Sequence, residues 1–156
     1  MMAEAIESDH ENDFRDMLGL LRKHKADFLL VGAHALAVHD QPRATGDLDI
    51  WVRADPVNGL RVWEALLEFG APLDAFTPEE WCQPGVGLHI GLPPGRIDIL
   101  TMISGVSFEE AWPKRVAGTC LGVEVDVIGL EAFIRNKRAA GRDKDLLDLK
   151  RLEKDQ

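Results

Sequence analysis

The sequence predicts a single α/β domain, a mixed sheet flanked by helices, and three observations lead there. Short apolar runs that stop at glycine or proline, such as Phe28–Val31 before Gly32, read as strands. Between them lie amphipathic stretches with helix-start signals, Asp55-Pro56 and Ser107-Phe108-Glu109-Glu110 among them. A chain of 156 residues that is 46% hydrophobic can bury one sizeable core, so residues 1–156 are read as one domain.

Residues 1–12 are polar and acidic and are expected to form a flexible N-terminal segment. From Asp13, Phe14, Met17, Leu18, Leu20 and Leu21 recur at helical spacing. Arg22, Lys23 and Lys25 crowd the end of that helix, where cations suit the dipole. Phe28–Val31 follows as a buried strand, Gly32 as a turn and residues 33–38 as a short helix. A glycine opening a helix lets another backbone, or a phosphate, approach N–H groups that carry positive dipole character.

Residues 47–52 read as the second strand. Alternation places Asp47 and Asp49 on one face and Leu48, Ile50 and Val52 on the other. A slip by one residue would bury both charges, so the apolar face sets the register. Two aspartates so spaced lie about 6–7 Å apart at Cα. They can converge on one hard cation, or on two lying about 3.5–4 Å apart. An edge strand with a solvated acidic face would show the same alternation.

Beyond it, Asp55 and Pro56 announce a helix with Leu60, Trp63, Leu66 and Leu67 as its apolar stripe, closed by Phe69-Gly70. Gly59 near its start should cost about 1 kcal/mol relative to alanine. Thr77-Pro78 starts a short helix in which Trp81 is a core residue. Residues 86–92 alternate as a third strand, Pro93-Pro94-Gly95 turns the chain, and residues 96–100 return antiparallel as a fourth. Asp98 sits in that fourth strand between two isoleucines, with no cap or turn to serve. Ser107 and Glu110 form a capping box, with Phe108, Ala111 and Trp112 as core and Pro113 limiting the helix. Val116 and residues 123–128 give the last strands, around a Leu121-Gly122 turn. Two helices end the chain. On the first, Leu130, Phe133, Ile134 and Lys137 share a face. The lysine stem can pack there while its ammonium either reaches an anionic site or answers the helix dipole. Acids crowd the first turn of the second helix and cations its last.

Composition narrows the function classes. A formal net charge of -9 repels polyanions at long range, so a broad nucleic-acid-coating surface is not expected. Cys82 and Cys120 are the two cysteines, with no CxxC pair and no zinc spacing, which suits a reducing cytoplasm. No apolar run reaches membrane-helix length, and the N-terminus has no basic-then-apolar signal pattern, so no membrane partner is expected.

Gly32-Ala33, a spacer, and Asp47-x-Asp49 among apolar residues resemble the signature of polymerase-β-type nucleotidyltransferases. Ala33 stands where that signature has Gly or Ser. The Arg43-x-Thr45-x-Asp47-x-Asp49 run, Lys137, the Gly-Arg-x-Lys-Asp run from Gly141 and the final leucine helix are similar to small bacterial AbiEii-like nucleotidyltransferases of toxin–antitoxin systems. That resemblance runs from about Phe28 to Leu152. It implies a nucleotidyltransferase fold, and transfer of a nucleoside monophosphate from an NTP to an acceptor on a tRNA, a protein or a small molecule. It implies two Mg²⁺ or Mn²⁺ ions on Asp47 and Asp49, with Asp98 as third carboxylate, and an antitoxin protein as partner. Gly32, Ala33, Arg43, Thr45 and Lys137 would face the nucleotide. Two alternatives share these residues: a binding module that has kept the fold without catalysis, and an enzyme that nucleotidylates an antibiotic.

Overall fold

A computed structural model describes residues 2–39 and 46–154, with side chains described for 10–39, 46–150 and 152. In chain order the elements are α1 (Met2–Lys23), β1 (Phe28–Val31), α2 (Gly32–His39), β2 (Leu48–Val52), α3 (Pro56–Phe69), β3 (Gly87–Ile90) and β4 (Ile97–Leu100). There follow α4 (Phe108–Ala111), β5 (Val116–Cys120), β6 (Val123–Val127), α5 (Leu130–Ala140) and α6 (Asp143–Lys154). Single 3₁₀ segments span Pro78–Cys82 and Trp112–Lys114.

The strands form one mixed sheet in the order β3-β4-β2-β1-β6-β5. β1 runs antiparallel to β2 and parallel to β6, β2 runs parallel to β4, and two hairpins, β3–β4 and β5–β6, form the edges. The central strands are buried, as continuous apolar runs require: Leu29, Leu30, Leu48, Ile50 and Val52 are fully excluded from solvent. Each such side chain contributes about 1.5–3 kcal/mol when buried. Among the described residues, no helix is long and apolar enough to cross a membrane.

Local signals held where they depend on near neighbours. Asp55 accepts the Asn58 N–H and caps α3, Gly70 ends it in the left-handed conformation, and Ser107 and Glu110 form the capping box of α4. The first helix differs: it begins at Met2, not near Asp13. Met2, Ala3, Glu4, Ala5 and Glu7 are good helix formers, and no proline or glycine interrupts them before Gly19.

The buried face of α3 also differs from the expected stripe. Asn58, Gly59, Val62, Ala65 and Leu66 are buried, while Leu60 and Leu67 are each 50% exposed. Gly59 explains the rotation. A Cβ there would lie 2.7 Å from the Trp81 carbonyl and from Cys82 Sγ, so the glycine lets the Pro78–Cys82 turn and its fully buried Trp81 close on the helix. The helix-propensity cost is offset by that packing. Asn58 joins the same corner: its Oδ1 accepts the Asp27 N–H at 2.6 Å, and its Nδ2 donates to the carbonyls of Asp27 and Arg53.

Candidate active site

Register assembles the site. Parallel pairing of β2 with β4 sets Asp49 opposite Asp98, and antiparallel pairing with β1 sets Val31 opposite Asp49. The Gly32 turn therefore rises beside the Asp49 carboxylate. Gly32 has φ of 70°, and a Cβ there would collide with Asp49, so two independent constraints demand glycine. Asp47 immediately precedes β2. The three aspartates thus meet where β2 and β4 begin and β1 ends. His89 of β3 faces Asp98 from the other side.

These groups line a cavity of about 740 Å³, the size of a small-molecule site. Gly32, Ala33 and the three aspartates form one side; Lys137, Arg142, Lys144 and Asp148 form another; Leu100, Met102 and Ile103 supply an apolar wall. A more open depression of about 570 Å³ lies between α1 and the end of α3, but its ionisable side chains are solvated.

The aspartates are not equivalent. Burial, then the hydrogen bond and charge of Asp98, push the Asp49 carboxyl up to about 7, against the opposing charges of Lys144 and Lys137. Burial also pushes Asp98 upward, but hydrogen bonds with His89, Arg96 and Asp49 outweigh it and hold Asp98 below the usual carboxylate range. The two carboxyls share one proton, as like charges in a confined site do. His89 Nδ1 lies 2.6 Å from Asp98 Oδ1. Arg96 Nη2 donates to Asp98 Oδ2 at 3.0 Å, and its backbone N–H donates to Asp47 Oδ1 at 3.1 Å.

Lys137 reaches the cavity wall from α5, and its ammonium is already engaged. It lies 3.0 Å from Asp145 Oδ1 and 3.4 Å from Asp148 Oδ2. Asp145 is wholly buried and also takes the Arg142 guanidinium at 2.7 Å. Burial pushes the Asp145 carboxyl up, and the bonds from Arg142 and Lys137 more than reverse it. Lys144 lines the cavity, and its charge is felt at Asp49. Arg43 and Thr45 lie outside the described residues. Gly32, Ala33, Asp47, Asp49, Asp98 and Lys137 therefore come together in one cavity.

Sequence reasoning gave no site role to His89, Arg96, Arg142 or Lys144. A signal existed for His89: counting outward from Pro93-Pro94 pairs Ile90 with Ile97 and His89 with Asp98. Arg142 and Lys144 stood out only in the run from Gly141 that carries the resemblance, and their place at the cavity depends on how α6 folds back on α5.

Three carboxylates are the donor set a hard divalent cation takes. Among the described residues, however, no three His, Cys, Asp or Glu side chains are already gathered as a metal site. Arg96 engages Asp98 and Asp47, and burial with the charge of Asp98 pushes Asp49 toward its protonated form. The residues fit the ion in kind, with a proton and a guanidinium supplying the positive charge in its place.

No family model and no curated protein matches the chain. Among solved structures, it is similar to a "putative nucleotidyltransferase" from Thermotoga maritima, at a TM-score of 0.56 and 13% identity, over 92% of this chain and 91% of that one. The two share the nucleotidyltransferase fold.

Proposed function

We propose that the chain is a metal-dependent nucleotidyltransferase that moves a nucleoside monophosphate from an NTP to an acceptor hydroxyl and releases pyrophosphate. One observation carries the reading: Asp47, Asp49 and Asp98 converge beside the Gly32 turn in a cavity with a cationic wall. Asp47, Asp49 and Asp98 would hold Mg²⁺ or Mn²⁺, which when bound makes an acceptor hydroxyl more acidic and neutralises the leaving pyrophosphate. Gly32 and the N–H groups that open α2 would receive the terminal phosphates, with Ala33 against them. Asp98, once released by His89 and Arg96, would take the acceptor's proton. Lys144 and Arg142 supply positive charge to the polyphosphate, and Lys137 adds to the potential from behind its two aspartates. Arg43 and Thr45 remain candidates for the same phosphates on the strength of the sequence. The acceptor belongs to a tRNA, a protein or a small molecule, and the sequence resemblance favours a toxin with an antitoxin protein as partner.

The competing reading is a catalytically silent binding module, favoured by the engagement of both Asp98 oxygens with His89 and Arg96. One experiment separates the two. The chain is incubated with Mg²⁺ or Mn²⁺, each α-labelled NTP in turn, and total tRNA, protein or small-molecule acceptors, and pyrophosphate release is followed. Transfer that Asp49→Ala abolishes supports the enzyme. Nucleotide binding without pyrophosphate release in any combination supports the module.

A further inference from the structure

We propose that the Arg96 guanidinium is the resident cation of the aspartate cluster, and that it must swing aside before a divalent ion can use Asp47 and Asp98 together. The inference rests on the metal-dependent reading above and deepens it.

Both Asp98 oxygens are engaged: Oδ1 by His89 at 2.6 Å, Oδ2 by Arg96 Nη2 at 3.0 Å. Arg96 Nε approaches Oδ1 at 2.8 Å, though it is not aligned as a hydrogen bond. The same Nη2 lies 3.6 Å from Asp47 Oδ2. The fork therefore spans the first and third carboxylates. The backbone anchors its base: the Arg96 N–H donates to Asp47 Oδ1, and the Leu48 N–H donates to the Arg96 carbonyl at 2.9 Å. Guanidinium does not deprotonate in proteins, so it can leave only by moving. Its side chain is 32% exposed and borders the cavity, which gives it a path.

A positioning role predicts the opposite sign. If Arg96 merely held Asp98 in place for the metal, its loss would weaken metal binding. If it competes for the same oxygens, its loss tightens binding.

The test uses the full chain, stripped with chelator, and Mn²⁺ alone as probe, titrated by the paramagnetic resonance of free Mn²⁺ at pH 8. Wild type, Arg96→Met and Arg96→Lys are compared after thermal melts establish that each is folded. Arg96→Met should bind Mn²⁺ on the order of ten-fold more tightly, the scale of one charge-assisted contact removed. Arg96→Lys should fall between, because an ammonium keeps the charge but cannot fork across two carboxylates. Unchanged or weaker binding in Arg96→Met overturns the proposal. So does Arg96→Lys binding equal to wild type, which would make charge alone sufficient. Should Arg96→Met not fold, the Arg96→Lys comparison decides by itself. Equal binding in all three removes the arginine's role and leaves the metal reading intact. Absence of binding in all three removes both. The expected order of affinities without any nucleotide transfer would keep the arginine's role and remove the transferase reading.

Discussion

Replacing Asp49 by asparagine tests the shared proton directly. Asparagine can donate an N–H to Asp98, as protonated Asp49 does, and it does so at every pH. In the wild type, burial and Asp98 raise the Asp49 carboxyl from 3.8 to about 7. A group whose folded value is raised contributes stability that is full below the unfolded value and is lost as pH climbs through the folded one. Between pH 5 and pH 7 the unfolded chain has released this proton and the folded chain still holds it. At about 1.36 kcal/mol per pH unit, those two units cost the wild type on the order of 3 kcal/mol. Asp98 works in the other direction, since its value is lowered from 3.8. Its contribution is lost only on acidification below that, outside the window. Urea unfolding of both proteins at pH 5 and pH 8, in chelator, measures the difference. Asp49→Asn should gain on the wild type by on the order of 3 kcal/mol between pH 5 and pH 8. Stabilities that change in parallel between the two pH values would refute the shared proton.

The same proton makes Mg²⁺ stabilisation pH-dependent, because Asp49 must release it to become a ligand; the rise in Tm with millimolar Mg²⁺ should be larger at pH 8 than at pH 5. Lys137→Met should cost about 3–5 kcal/mol in a urea melt, because it leaves the buried Asp145 with Arg142 alone. Adding Asp145→Leu to it should recover much of that loss, whereas a loss below about 1 kcal/mol for the single change would reduce Lys137 to a helix-dipole contact. Gly59→Ala should destabilise by more than the roughly 1 kcal/mol that helix propensity would gain, because its Cβ meets the Trp81 carbonyl; a more stable variant in the same melt would remove that close approach.

What the sequence discloses is local. The Asp55 cap, the Ser107–Glu110 box, the Gly32 turn and the two edge hairpins are each decided within a few residues, and each was legible. Alternation put Asp47 and Asp49 on one face because a strand's period needs no partner. Asp98 was legible for a different reason, as a charge between two buried isoleucines that no turn or cap accounts for. The buried face of α3 was not legible, because it is chosen by the Trp81 turn, some twenty residues on, through a glycine whose local effect points the other way. Lys137 lies between: its place on an apolar stripe was readable, but Asp145 and Asp148 belong to another helix, and only the fold of α6 onto α5 brings them to its ammonium.

Net charge is the least local of the sequence's signals. The chain carries -9 overall, which repels polyanions at long range. The cavity does not share that charge. Its described lining sets four carboxylates, Asp47, Asp49, Asp98 and Asp148, against four lasting cations, Arg96, Lys137, Arg142 and Lys144. Asp145, buried behind Lys137 and Arg142, is a fifth carboxylate, so with Asp49 holding a proton the two signs balance. Screening over about 8–10 Å separates this interior from the acidic exterior. A polyphosphate that reaches the mouth would therefore meet a lining of balanced charge, not the molecule's average. Composition is a sum, and the chemistry here depends on where its parts are placed.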